Sequence, residues 1–497
     1  MNEHGPSEAV PELDLFSAAR VLADQAFSRA SGAPLILGNS LRLLKDATEN
    51  YPAWLDAIQD ATQTIHFESY IIHDDEVGNR FAQALIDKQR HGVRVRVLYD
   101  WMGAIGKTSQ RFWRRLREAN IEVRCVNPPQ FSSPFGWLSR DHRKMLAVDG
   151  RIGFVTGLCI GKMWEGDVRR RLEPWRDTGV EVRGPAVADL EHAFARMWDI
   201  AGTPLPRSQI PRRTEIASVG GVGLRVIASE PNMAGLYRLD TLIAAGARHT
   251  LWLTDAYFVG TTVYVQALIA AARDGVDVRL LVPGSSDIAV VRALSRAGYR
   301  PLLEGGVHVF EWNGPMLHAK TAVADGRWAR VGSTNLNPAS WWGNWELDVA
   351  VEDTGFAQQM EAMFLDDMQH ATEIVLNPRR RIRVAGAGGP QNARLRRGQG
   401  SGGRAVAGAL RLSHVVGAAI TNRRALGPAE ARVMAGGGML LFAVSVIAII
   451  WPQVITFPLA ALGLWVGTTL LVRAYRLRFR HPQLSQQPSR QNTTSIH

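Results

Sequence analysis

The sequence predicts an α/β protein built from two duplicated lobes with pseudo-twofold symmetry, followed by a C-terminal transmembrane helical hairpin. Three observations predict it. Similar strand and helix patterns recur at offsets of 187, 183 and 176 residues. A Pro-rich stretch with Pro204, Pro206 and Pro211 separates the two copies. Near the end, 40 consecutive residues, 433–472, contain no Asp, Glu, Lys or Arg.

The 497 residues are 46% hydrophobic and 21% charged, which is globular rather than disordered. That length suggests about three ordinary domains or two large ones. Two cysteines, Cys125 and Cys159, exclude a disulfide scaffold and any four-cysteine zinc site. A net charge of +11 would by itself suggest nucleic acid, but its location argues otherwise. From Asn377 onward there are 17 Arg, no Lys and one acid, Glu430, so that segment carries +16 and residues 1–376 carry −5. A nucleic-acid enzyme usually places its basic surface on the working domain. No nucleic-acid partner is therefore expected.

The first lobe is expected over 37–201, after an N-terminal segment 1–36. In it, Ala57-Ile58 reads as helix and Ile65-His66-Phe67-Glu68-Ser69-Tyr70-Ile71 as strand. The helical segment Phe81–Arg90 precedes a second strand, Gly92–Leu98. After the linker 202–214, the second lobe, 215–376, repeats this order. Leu242-Ile243 leads to Leu251–Phe258, and Val263–Arg273 leads to Gly275–Leu281. Strands alternating with helices place α/β layers around a sheet.

Beyond the lobes, a basic Gly/Arg-rich linker, 377–432, includes a candidate amphipathic helix, Ala405–Ile420. The uncharged run 433–472 is about twice as long as one bilayer span requires, and Pro452 and Pro458 interrupt it. Two spans are expected, Val433–Trp451 and Ile455–Val472, with a turn at Trp451-Pro452-Gln453. A buried core hairpin or a re-entrant loop is the alternative. Arg423, Arg424 and Arg432 precede the run, and Arg473, Arg476, Arg478 and Arg480 follow it. By the positive-inside rule both flanks, the tail 473–497 and the lobes are cytoplasmic, at the inner membrane of a bacterium. The polar, acidic stretch Met1–Leu13 does not read as a signal peptide.

The third repeat carries the chemistry. His142-Arg143-Lys144 leads to Asp149-Gly150, and His318-Ala319-Lys320 leads to Asp325-Gly326. Both copies read H-x-K-x-x-x-x-D-G. Residues two apart on a strand share a face, and Asp-Gly between apolar runs is a hairpin turn. An imidazole can act as nucleophile or general acid, and an ammonium can neutralise phosphate oxygens. One such pair occurs readily by chance on a solvated strand face. Two copies at matched places in a repeat point to phosphoryl chemistry at one shared site.

On these residues the chain resembles the phospholipase D superfamily and, within it, bacterial cardiolipin synthases. The resemblance covers about 37–376. Supporting segments are Phe67–Ile72, Gly332-Ser333-Thr334-Asn335-Leu336-Asn337, Trp175-Arg176-Asp177-Thr178 and Asn344-Trp345-Glu346-Leu347. The resemblance implies one active site between phospholipase D-like lobes, a phosphohistidine intermediate, and no metal or other cofactor. It implies His142 as nucleophile and His318 as general acid, with Lys144 and Lys320 clamping the phosphate. It also implies substrate contacts from Asn335 and Ser333, and histidine-orienting carboxylates at Asp177 and Glu346. Asp149 and Asp325 complete the motifs and look structural. The chain departs from the family pattern at Thr156-Gly157-Leu158-Cys159, where Cys159 stands in the place matching Asn335. Tyr70, Tyr257, Trp341, Trp342 and Trp345 read more readily as core than as site.

The expected function is phosphatidyl transfer between anionic phospholipids at a membrane, with phosphatidylglycerol giving cardiolipin and glycerol. Hydrolysis to phosphatidic acid, a superfamily nuclease and an inactive membrane scaffold are the alternatives.

Overall fold

The computed structural model describes residues 12–129, 138–376, 382–384, 439 and 442–479. The chain opens with helix α1 (Glu12–Ser31), strand β1 (Ile36–Lys45), α2 (Asp46–Asp60), β2 (Thr64–Ser69), α3 (Glu76–Arg90) and β3 (Arg94–Asp100). Then come α4 (Trp101–Ala104), α5 (Gln110–Glu118), β4 (Glu122–Val126), β5 (Lys144–Val148), β6 (Ile152–Thr156), α6 (Lys162–Glu165), β7 (Thr178–Arg183) and α7 (Val187–Ile200). The second lobe holds β8 (Val222–Ser229), α8 (Gly235–Gly246), β9 (Thr250–Thr254), α9 (Thr262–Arg273), β10 (Asp277–Pro283), α10 (Ala289–Glu304) and β11 (His308–Trp312). It closes with β12 (Thr321–Ala324), β13 (Trp328–Gly332), β14 (Glu346–Glu352), α11 (Thr354–Met368), β15 (Ala371–Leu376) and β16 (Ile382–Val384).

These strands form one sheet in the order β16-β15-β11-β10-β9-β12-β13-β14-β8-β1-β7-β6-β5-β2-β3-β4. Outward from the central β8–β1 pair, both arms run through corresponding strands in the same sequence. β2, β3 and β4 are parallel neighbours, as are β9, β10 and β11. Each parallel step needs a helical crossover, and α3 and α9 supply two of them. Asp75 caps α3 by accepting from Val77 and Gly78, and Thr261 caps α9 by accepting from Tyr264.

Burial explains the near-continuous apolar strands. One core cluster covers the outer face of the first arm, with Trp54, Phe67, Phe81, Trp113 and Phe154. A second covers the outer face of the other arm, with Leu239, Tyr264, Leu268 and Leu302. The third lies between the arms, where Met145, Val155 and Val180 meet Val331, Leu347 and Val349 beside α7 and α11. Strands buried on both faces lose the polar alternation that marks a half-exposed sheet.

Both Asp-Gly turns form as expected. Asp149 and Gly150 have φ of 54° and 61°, and Asp325 and Gly326 have 51° and 58°. Two successive left-handed residues make each tight turn, with three residues, 149–151 and 325–327, between the paired strand ends.

The N-terminal segment and linker belong to the lobes. Helix α1 docks on the second lobe through fully buried Arg225, which donates to Ser28 Oγ (2.7 Å) and Ala33 O (3.0 Å) and pairs with Asp24. The linker lies against the first lobe, where Arg96 donates to Gln209 (2.8 Å) and Arg124 to the Thr203 carbonyl (2.8 Å).

Arg143, the central residue of the first H-x-K, points away from the histidine face and is fully buried. Its guanidinium donates to the carbonyls of Glu346 (3.2 Å), Ala193 (3.0 Å) and Ser229 (3.2 Å). These acceptors lie on β14, α7 and β8, so one side chain ties both lobes together. Arg143→Met removes three buried hydrogen bonds and is expected to destabilise the protein by about 3 kcal/mol. Chemical denaturation monitored by tryptophan fluorescence checks this; an unchanged midpoint contradicts it.

The C-terminal segment falls in a separate compact unit and is described by itself. Residues 442–450 are helical, Trp451 interrupts, and a helix resumes over Pro452–Phe479. Pro452 occupies a first helical position, where its missing N–H costs nothing. Within that helix Pro452–Val472 is long and apolar enough to cross a membrane, with mean hydropathy 1.8. The break is at Trp451 alone, with Pro452 and Gln453 of the expected turn helical, and the expected second span lies inside the long helix. The candidate helix 405–420 and residues 433–438, 440 and 441 of the first span lie outside the described residues.

Candidate active site

The histidines precede their strands instead of lying within them. Strand β5 begins at Lys144, and β12 begins just after Lys320. The residues ahead of each strand leave their own sheet arm and pair with the other lobe. His142 N donates to Trp345 O (2.9 Å), and Trp345 N donates to Arg140 O (2.8 Å). Likewise His318 N donates to Arg176 O (2.7 Å), and Arg176 N donates to Met316 O (2.9 Å). Each exchange sets the next residue of the opposite lobe beside a histidine. Glu346 Oε2 lies 2.9 Å from His142 Nδ1, and Asp177 Oδ2 lies 2.7 Å from His318 Nδ1. The carboxylates are therefore crossed, so neither motif histidine takes its carboxylate from its own lobe.

A carboxylate on Nδ1 holds the proton there and leaves the Nε2 lone pair free. Lys320 Nζ also lies 3.0 Å from His318 Nδ1, a contact that would need the opposite tautomer. Asp177 is closer and charged, so the Nδ1–H form wins. Lys320 instead donates to the His318 carbonyl, as Lys144 does to that of His142.

His142 and His318 are buried to 8% and 5% exposure, and both lysines are buried. Burial, then the neighbouring ammoniums, disfavour positive charge on the rings. His142 falls well below its usual pKa through burial and through Lys144, Lys320 and Arg140. His318 falls to about 4 through burial and Lys320, against the opposing pull of Asp177. Each histidine feels the lysines of both lobes, so the two motifs share one electrostatic environment. Burial would raise Asp177, but His318 and Lys320 hold it below the usual carboxylate range.

The two carboxylates are supported differently. Ser333 Oγ donates to Glu346 Oε2 (2.6 Å), and Asn344 donates to Glu346 Oε1 (3.2 Å). Ser333, expected at the substrate, thus spends its hydroxyl on Glu346 while accepting from Leu347 N (2.9 Å). Gly157 is its counterpart in the first copy. A Cβ there would lie 2.1 Å from Asp177 Oδ1, so only glycine leaves room for the shorter carboxylate. Asp177 is held instead by Trp164 Nε1 (3.1 Å) and Thr178 N (2.9 Å).

Asn335 is buried, and its Oδ1 has no protein partner among the described residues. Cys159, in the matching place, packs in the first-lobe core, and its carbonyl accepts from Tyr51 (2.7 Å). Burial raises its thiol pKa, which disfavours a thiolate. Asp149 and Asp325 lie at the far ends of β5 and β12, about 16 Å along a five-residue strand from the lysines. Asp149 accepts from Thr62, Gln63 and Thr64, and Asp325 from Arg248, His249 and Thr250. Burial opposes their ionisation, but these backbone donors outweigh it and lower both pKa values.

Several site residues escaped the sequence reading. The Tyr70 ring lies 4.9 Å from that of His142, and the Tyr257 ring 6.0 Å from that of His318. Trp164 and Trp175 each stand 5.6 Å from His318. Beneath Lys144, Glu68 and Asp141 form a buried carboxyl pair. Among the described residues neither Glu68 oxygen has a hydrogen-bond donor. Burial, then the negative charge of Asp141, raise Glu68 well above the usual range, so it is the protonated partner. Its counterpart Asp255 rises to about 7 by burial, against donors from Leu336 and Tyr257. The available signal was an acid inside each apolar strand at the 187-residue offset.

Two α/β lobes that exchange carboxylates between paired His–Lys strands define a phospholipase D-like protein. Residues 54–198 and 240–368 match the family model described as "Cardiolipin synthase, PLD-like domain", and the chain belongs to that family. Cardiolipin synthase A of Pseudomonas aeruginosa (strain LESB58) is 35% identical over 381 residues, covering 75% of each chain. Cardiolipin synthase of Geobacillus sp. (strain WCH70) is 33% identical over 356 residues, covering 70% of each. The crystal structure of phosphatidylserine synthase from Haemophilus influenzae Rd KW20 shares the fold at a TM-score of 0.56 and 14% identity, covering 70% of this chain and 91% of that one.

Proposed function

We propose that the chain is a cardiolipin synthase that transfers a phosphatidyl group between two phosphatidylglycerol molecules. The observation that carries this reading is the crossed pair His142–Glu346 and His318–Asp177 beside two buried lysines, in a chain of this family. Nε2 of His142 attacks the phosphorus of the first lipid. The bond to the headgroup glycerol oxygen breaks, and His318 Nε2–H protonates that oxygen. The phosphatidyl group is then carried on His142. His318, now neutral, takes the proton from the headgroup hydroxyl of a second phosphatidylglycerol. That oxygen attacks phosphorus, the P–N bond breaks, and cardiolipin forms.

A bound phosphodiester anion favours the protonated ring and raises the fraction of His318 able to donate. Lys144 and Lys320 offset charge on the five-coordinate phosphorus, while Asn335 offers a polar contact. Asp149 and Asp325 hold the hairpins. Pseudo-twofold symmetry of the lobes suits attack from one side and departure on the other. The C-terminal helices would form a hairpin in the bacterial inner membrane, with the lobes cytoplasmic and beside both lipid substrates.

Vesicles of labelled phosphatidylglycerol test the reading. Cardiolipin with stoichiometric glycerol is expected; phosphatidic acid alone would replace transfer with hydrolysis, and neither product would overturn both.

Lys320 adds a pH signature. Burial, then repulsion from Lys144, lower its pKa to about 8, although Asp177 opposes the shift. The ammonium needed for phosphate is lost as pH rises through that value. kcat/KM is therefore expected to fall above about pH 8. Lys320→Arg, which stays charged, should move that alkaline limb upward; an unmoved limb assigns it to another group.

A further inference from the structure

Residues 163–175 form a tapering loop whose base rests on the site. Trp175 N donates to Met163 O (2.9 Å), closing the base. Trp164 and Trp175 both contact the His318 ring, and Trp164 also donates to Asp177. Further out, Asp167 and Leu172 exchange backbone hydrogen bonds of 2.7 and 2.9 Å. Asp167 accepts from Arg169 N and Arg170 N, and Lys162 donates to its other oxygen (2.9 Å). The tip is thus a fixed turn, with Arg171 left-handed at φ 54°.

What the tip presents is unusual for a water-exposed turn. Val168 is 96% exposed and Leu172 is 38% exposed. Between them stand Arg169, Arg170 and Arg171, all exposed. Glu173 is the exposed acid beside them, and Asp167 pairs with Lys162 at 2.9 Å and more loosely with Arg170 at 3.6 Å. Two apolar side chains around three guanidiniums suit an interface where acyl chains lie beneath anionic headgroups. A protein partner would more often meet aromatic anchors in a packed patch.

We propose that the 168–172 tip is an anionic-membrane docking element that seats the His318 side of the site on the bilayer surface. Val168 and Leu172 enter the headgroup–acyl boundary while Arg169, Arg170 and Arg171 engage lipid phosphates. This deepens the phosphatidyl-transfer reading and rests on it for its purpose, though docking itself can be measured without turnover.

The test uses the full chain in nanodiscs of phosphatidylcholine with or without phosphatidylglycerol. Val168→Cys, in a Cys125→Ser background, carries an environment-sensitive fluorophore. Blue-shifted emission, quenched by lipids brominated on the acyl chains, is expected in the anionic discs. Arg169→Ala/Arg170→Ala/Arg171→Ala should reduce that quenching about tenfold or more, since each Arg near an anionic surface contributes several-fold. Water-like, unquenched emission in both discs overturns the proposal. The activity arm compares bilayer phosphatidylglycerol with a short-chain form below its micelle concentration. Val168→Asp/Leu172→Asp should lower bilayer turnover about tenfold or more and leave short-chain turnover unchanged. Equal loss on both substrates overturns the docking role. Wild type that converts neither substrate, yet shows quenching, sinks the phosphatidyl-transfer reading and leaves docking standing.

Discussion

His142→Ala and His318→Ala are each expected to lower cardiolipin formation by about 10⁴-fold or more, with the fold intact. One imidazole would supply the bond to phosphorus, and neither the buried lysines nor water can replace it. The other would supply and remove the proton, an effect of about 10²–10⁴ by itself. Both rings are buried, so solvent has no direct route to act in their place. Because they serve one reaction, the double variant should be no slower than the slower single variant. Product formation from labelled phosphatidylglycerol, with thermal unfolding as a control, reads this directly. Turnover within tenfold of wild type in either variant refutes the two-histidine mechanism.

The second large effect concerns the crossed carboxylates. Asp177→Asn presents His318 Nδ1 with an amide that can donate. The proton then shifts to Nε2, so the ring loses its basic lone pair and the support for its charged form. A fall in kcat of about 10²–10⁴ is expected, with a small change in KM. Glu346→Gln should do the same to His142. There Asn344 can still donate to the amide oxygen, but Ser333 loses its acceptor, so a stability loss of about 1–3 kcal/mol should accompany the change. Since Asp177 lies in the first lobe and serves the histidine of the second, the loss should follow the identity of the acid and not the integrity of either lobe. Rescue of Asp177→Asn by raising pH, or a loss confined to KM, would contradict this role.

Much of the arrangement was legible because it is local. His and Lys two residues apart must share a face of an extended chain, and Asp-Gly between apolar runs must turn. Part of the tail was legible for a similar reason: an uncharged run with a proline inside it favours an apolar helix that starts at Pro452. Ser333 shows where local reading stops. Its motif position suggested a substrate contact, but the glutamate beside it was invisible in sequence and claims the hydroxyl. Tyr70 and Tyr257 read as core for the same reason, since a half-buried tyrosine beside a histidine has no pattern of its own. Helix α1 read as an undivided N-terminal segment, because its anchor, Arg225, lies some 200 residues away.

The amino-acid order by itself determined the duplication, the paired H-x-K motifs, the hairpin turns and an apolar C-terminal helix. These depend on side-chain alternation, backbone permissiveness and solvent preference over a few residues. Only the tertiary structure decided which acid serves which imidazole. The partners are separated by 204 and 141 residues, and the residues ahead of β5 and β12 leave their own sheet arms to meet them. That choice follows from two sheet arms packing face to face, and nothing in a short stretch of chain encodes the facing surface.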